Sequence, residues 1–122
     1  SEPSAVISDP DEWQSKGTYS CLAYPDSRSF CPPGLDDNWY SGGGNFKVEF
    51  DSPVSFTVQL REYDPGDNAD EYVGKPVRVD SGYTSVTWSN ITQWVDGEKA
   101  EFYLEVTNAS PYTGEFYAEG FD

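Results

Sequence analysis

The sequence predicts an all-β protein: an antiparallel β-sandwich of about seven or eight short strands, in a single domain spanning residues 1–122. Three observations predict it. Apolar residues alternate with polar ones through several segments, the period-2 signature of half-buried strands. Turn-forming residues separate those segments at short intervals, as in sandwiches and small barrels. Four Trp, nine Tyr and seven Phe supply apolar area for a core, while a chain of 122 residues leaves no room for a second one.

Residues 1–17 read as a loose N-terminal lead-in. Within it Ser8 is an N-cap candidate, with Pro10 in the first turn and Asp11 and Glu12 after it. That is a start signal for one short helix, which Gly17 ends. Residues 18–24 suit a strand. Residues 25–44, with Pro32-Pro33-Gly34 and Gly42-Gly43-Gly44, read as one long irregular stretch. A loop of that length in a compact domain is functional or tied down by a staple.

Beyond it the alternation is strict. Phe46, Val48 and Phe50 point one way and Lys47 and Glu49 the other; Val54, Phe56, Val58 and Leu60 alternate with Ser55, Thr57, Gln59 and Arg61. Val77 and Val79 form the inward face of a shorter strand, and Val86 and Trp88 that of the next. Ala100, Phe102, Leu104 and Val106 alternate with Glu101, Tyr103, Glu105 and Thr107. Residues 114–121 read as a last strand whose inward face the pattern leaves open.

Cys21 and Cys31 are the only cysteines. No His accompanies them, and their spacing suits no zinc site. An even count in a short chain predicts a Cys21–Cys31 disulfide and an oxidising compartment, hence a secreted, extracellular protein. The chain opens on Ser1 rather than Met, which reads as a mature start with any signal peptide already removed. No apolar run is long enough to cross a bilayer, so no membrane insertion is expected. The net charge of −15, from 22 acidic and 7 basic residues, repels phosphate backbones and makes nucleic acid a poor partner. It suits solubility, calcium, or a basic protein partner.

The most informative segment is residues 58–74, where a strand runs into a loop holding Glu62, Asp64, Asp67, Asp70 and Glu71. Oxygen-rich loops at strand ends suit Ca²⁺, which takes about six to eight oxygen ligands in flexible geometry. The same acids also suit Asx turns that solvate the loop. The segment resembles the second calcium loop of C2-type β-sandwiches, which has two acidic residues one apart at a strand end, a third acid six residues on, then an apolar residue and Gly. Glu62 and Asp64 stand in for the first pair, Asp70 for the third acid, and Val73-Gly74 for the closing pair. Glu62 replaces the usual Asp, and one extra residue separates Asp70 from Gly74. Asp36-Asp37 is a loose candidate for the other loop. The resemblance covers about 20 residues and implies calcium as a cofactor. C2 domains that dock on lipid carry basic patches, which this sequence lacks, so the likeness favours a sandwich over membrane binding.

No enzyme is expected. The absence of His removes Ser-His and Cys-His triads, and no phosphate-binding Gly motif is present. Trp39, Tyr40 and Tyr72 are the candidate ligand-binding aromatics, with Trp39-Tyr40 first, between an acidic pair and a flexible Gly run. Exposed aromatics on a rigid β scaffold stack on sugar rings or anchor protein partners. Asn90-Ile91-Thr92 and Asn108-Ala109-Ser110 fit the N-glycosylation pattern. The sequence therefore leads to a secreted, non-catalytic binding module that takes a polysaccharide or docks on a surface through loop aromatics, with calcium as the stabilising cofactor the resemblance implies. Two alternatives stay open: an acidic inhibitor or effector that binds a basic secreted protein, and an accessory domain of a larger secreted enzyme.

Overall fold

The computed structural model describes residues 13–34, 37–63, 70–94 and 99–122. Nine strands follow in order: β1 (Ser15–Ala23), β2 (Ser29–Cys31), β3 (Trp39–Ser41), β4 (Phe46–Ser52), β5 (Ser55–Glu62), β6 (Glu71–Val79), β7 (Gly82–Trp88), β8 (Ala100–Ser110) and β9 (Gly114–Phe121). A 3-10 turn, Ile91–Trp94, lies between β7 and β8. The strands form two antiparallel sheets, one ordered β1-β9-β4-β7 and the other β2-β8-β5-β6, with β3 also pairing β8. The expected β-sandwich is therefore present.

The core lies between the sheets, where the alternating residues put it. Phe46, Val48 and Phe50 from β4 and Phe116 and Ala118 from β9 meet Phe56, Val58 and Leu60 from β5 and Phe102, Leu104 and Val106 from β8, all buried. Phe56 stacks on Phe116 with ring centroids 4.4 Å apart, and Phe46 meets Phe102 at 5.0 Å, so aromatic contacts bridge the sheets. The open question in β9 is answered by this packing: Phe116 and Ala118 face in, Tyr117 and Glu119 out. Gly120 continues the inward face because a Cβ there would lie 2.6 Å from Cδ1 of Trp39. Val79 and Trp88 are buried as expected, whereas Val77 and Val86 are only half-buried.

Two expectations need correction. The lead-in and its short helix were to run to Gly17, but β1 already begins at Ser15, paired with Phe121 of β9. The Ser15 hydroxyl also donates to Glu119. Long-range pairing fixes Ser15 to Gly17 as strand; the cap residues Ser8 to Glu12, like the rest of 1–12, lie outside the described residues. The stretch 25–44 is also not irregular throughout. It contains β2 and β3, which lie end to end along the same edge of β8: Cys31 opposes Leu104 and Trp39 opposes Phe102. Pro32 and Pro33 lack the N–H groups a continuous edge strand would use, so the chain loops out between the two.

The Cys21–Cys31 disulfide links β1 of one sheet to β2 of the other, with Cα atoms 5.7 Å apart. It staples that side of the sandwich, as the cysteine count predicts. On the opposite side β6 carries a bulge: Val58 opposes Val77 and Leu60 opposes Val73, so the three residues 74–76 face the single residue Gln59. Gly74 there has φ +69°, a backbone region that favours glycine. The Gln59 amide holds the bulge by donating to the carbonyls of Val73 and Gly74, each at 3.2 Å.

Candidate functional site

The outer face of the larger sheet carries the candidate site. Residues that alternate with the core of β2, β8, β5 and β6 line up in a row there: Phe30, Tyr103, Arg61 and Tyr72. Register fixes their order, since Arg61 opposes Tyr103 on one side and Tyr72 on the other. The Arg61 guanidinium lies 4.9 Å from the Tyr72 ring centroid and 5.7 Å from that of Tyr103. Phe30 meets Tyr103 edge to face at 5.8 Å. Stacking of a guanidinium on aromatic faces is favourable and holds the planes in place.

The interruption between β2 and β3 turns this flat face into a cleft of about 300 Å³. Phe30, Pro32 and Pro33 form one wall, Tyr63 and Asp70 the other, with Arg61 and Tyr103 between them. The loop joining β2 to β3 supplies the first wall, so the cleft exists because Pro32-Pro33-Gly34 breaks the edge strand. Tyr63 is held at the opposite rim by its backbone N–H, which donates to the Glu101 carbonyl at 2.8 Å. Phe30 and Tyr63 remain exposed.

Electrostatically the cleft floor is balanced. Arg61 reaches Glu105 at 3.4 Å, and Arg28 reaches the same carboxylate at 3.6 Å. Arg78, the third and last arginine of the chain, lies further along the same face and donates to Thr57 Oγ1 and the Asn108 carbonyl. The Tyr103 hydroxyl donates to Asp70. Burial pushes the Tyr103 phenol above its ordinary range, and the hydrogen bond to Asp70 adds to the shift, with Arg61 opposing it. Tyr19, on the far side of the edge strands, is also raised, first by burial and then by Asp37 and Tyr40.

The aromatics expected to bind ligand separate here. Trp39 does not: it is fully buried, against the expectation of an exposed ring. Pairing of β3 with β8 turns Trp39 inward, where it packs on Tyr19 and Phe46 and its indole N–H donates to the Gly17 carbonyl at 3.0 Å. Tyr40, the next residue, faces out beside its register partner Glu101 and is exposed, but it does not line the cleft. Tyr72 stands in the aromatic row and lines the adjoining groove with Thr57, Gln59, Pro76, Glu105 and Thr107. Tyr63 stands at a strand end, where the sequence places candidate aromatics, whereas Phe30 and Tyr103 carry no such signal of position. The signal for Tyr103 is instead that of an aromatic at an outward position of a cleanly alternating strand.

Of the calcium candidates, Asp64 and Asp67 lie outside the described residues. Glu62 is buried and faces the sandwich interior, Asp70 accepts from Tyr103, and Glu71 is exposed at the start of β6. Among the described residues no three His, Cys, Asp or Glu side chains come together as a metal-binding group.

Comparison with known proteins adds a relationship. The protein YndA of Bacillus subtilis (strain 168) is 34% identical over 110 residues, an alignment covering 87% of this chain and 74% of the relative. No solved structure matches the chain. The family described as the YndA coiled coil domain matches residues 23–116. A coiled coil needs helices with an apolar heptad seam, whereas the described residues of this chain form nine strands, one 3-10 turn and no α-helix. By the extent of the family match and the identity to YndA, the chain belongs to the YndA coiled coil domain family.

Proposed function

We propose that this chain is an extracellular, non-catalytic binding module that holds a glycan in the cleft between Phe30 and Tyr63. The observation that carries the reading is the aromatic row on the outer sheet face and the cleft cut into it. Pyranose rings present flat C–H faces that stack on aromatic planes, with hydroxyls left for a few placed polar groups. Phe30, Tyr63 and Tyr103 supply the planes, while Asn38 and Asp70 supply amide and carboxylate partners at the rim. Two arginines, Arg61 and Arg28, face two carboxylates, Glu105 and Asp70, so the charges around the floor offset one another, which suits a neutral sugar over an ion. The disulfide that joins the sheets accords with an oxidising compartment.

Titration of the protein with neutral polysaccharides by calorimetry tests this reading. Binding should be nearly independent of salt, lost in Tyr63→Ala and Phe30→Ala, and retained in Tyr83→Ala, which lies on the other sheet. Absence of binding, or binding indifferent to Tyr63 and Phe30, removes the glycan reading.

A second reading rests on the outer face of the smaller sheet. There Glu49 and Glu119 are register partners, and Asp51 stands beside them. Like charges directly opposite cost stability within the fold, and a basic protein partner would relieve that cost. Capture of such a partner should weaken steeply with salt and in Glu49→Gln. Calcium enters through the other end of the molecule, where Glu62 and Glu71 are register partners at the ends of the acidic segment. A divalent cation bound near them would raise the melting temperature. An unchanged melting temperature across millimolar calcium removes the ion from this reading.

A further inference from the structure

Among the described residues the sandwich has several open strand edges, and all but one are blunted. β6 carries the bulge at 74–76, Pro76, and the cations Lys75 and Arg78. β2 and β3 are three residues each and separated by the Pro32-Pro33 loop. β1 has a register break between Ser15 and Gly17. These are the devices by which natural sheets prevent strand-to-strand association. β7 has none of them. Its sequence, Gly-Tyr-Thr-Ser-Val-Thr-Trp, contains no Pro and no charge. Its ladder with β4 runs unbroken from Phe46 opposite Trp88 to Ser52 opposite Gly82. Among the described residues it pairs with β4 alone, at the end of its sheet.

Charge distribution makes the exception sharper. Residues 81–95 form the longest uncharged run of a chain that is 24% charged. Tyr83, within it, is 87% exposed, the most exposed large apolar or aromatic side chain of the described residues.

We propose that β7 is a docking edge at which two copies of this chain pair antiparallel, joining their four-stranded sheets into one continuous sheet. The sequence of β7 is complementary to itself about Ser85. A two-fold axis there sets Ser85 opposite Ser85 of the other copy, Thr84 opposite Val86, and Tyr83 opposite Thr87. Aromatic side chains beside β-branched ones across strands are favourable pairs. Asp80, the nearest charged residue on the N-terminal side, falls opposite Asn90 of the other copy, so no carboxylates oppose each other along the junction. Two-fold pairing of this kind is the commonest symmetry of soluble oligomers. Since each copy carries a net charge of −15, long-range repulsion opposes association, and added salt strengthens it.

Sedimentation equilibrium of the full chain over a concentration series, at low and high salt, reads the proposal. The expected result is a monomer–dimer equilibrium that shifts toward dimer with salt. Ser85→Lys should abolish it; Ser85 is exposed and opposes Glu49 within the chain, so a lysine there meets a carboxylate and leaves the fold intact. Tyr83→Lys, at an equally exposed position, is the second variant. Register is read independently: Ser85→Cys should cross-link to itself under mild oxidation, and Thr87→Cys alone should not. A chain that stays monomeric throughout overturns the proposal. So does a dimer that survives both lysine variants, or one in which the two cysteine variants cross-link equally.

Discussion

The Tyr103 hydroxyl donates to Asp70 Oδ2 at 2.5 Å, joining β8 at the cleft floor to the residue just before β6 in the cleft wall. The bond fixes the protonated phenol in place, and burial together with Asp70 raises its pKa in the folded state. Stability drawn from this group is present in full below about pH 10, the ordinary tyrosine value. It is lost as pH rises toward the higher folded value, because the unfolded chain gives up its proton first. Denaturant melts at increasing alkaline pH should show this decline, and Tyr103→Phe should flatten it. In an ultraviolet difference titration, Tyr103 should ionise later than an ordinary tyrosine. Identical alkaline slopes for wild type and Tyr103→Phe would show that the bond does not couple to folding.

Phe56→Ala should cost roughly 3–5 kcal/mol, as a large-to-small change at a fully buried ring. Phe56 stacks on Phe116 and lies edge-on to Phe50, so the cavity opens between the two sheets. Urea melts measure the loss; a shift of a few tenths would mean that the surrounding rings close over the gap.

Gly120→Ala should destabilise by about 1–3 kcal/mol through overpacking, since the added methyl would meet the Trp39 ring at 2.6 Å. Trp39→Ala should cost roughly 3–5 kcal/mol while leaving glycan affinity of the folded fraction unchanged, because the indole lies inside the sandwich. Near-ultraviolet circular dichroism with calorimetry separates the two effects. Specific loss of affinity at full stability would return Trp39 to the binding surface.

Reduction of Cys21–Cys31 should lower stability by roughly 2–3 kcal/mol, the chain-entropy value for so short a loop. Intact mass after alkylation reads the bond directly: neither thiol should react before reduction. Because Pro32 and Pro33 follow Cys31 immediately, reduction should also weaken ligand binding in the cleft. Undiminished affinity in the reduced protein would show that the wall stands without its staple.

The parts of the fold most legible in the sequence are those whose order is local. β4, β5 and β8 each present apolar residues at every second position, and burial follows that alternation residue by residue. β2 and β3 were not legible because three residues carry no period; their conformation comes from β8, some 60 positions or more further on. Trp39 misled for the same reason. Beside an acidic pair and a Gly run it has the surroundings of a loop residue, yet pairing with Phe102 turns it inward and leaves the outward position to Tyr40. The disulfide was legible by counting. The cleft was not, because its walls come from three separated segments that only the sheet register brings together.

The wall formed by Pro32, Pro33 and Gly34 has a further consequence for descent. It lies between two register pairs of the larger sheet, Cys31 with Leu104 and Trp39 with Phe102, and both ladders are set by β8 rather than by what joins them. Length and composition of that connection can therefore drift while the ladder on either side stays in register. On the glycan reading proposed above, rewriting a handful of residues there would change which sugar the cleft takes, with the scaffold unaltered.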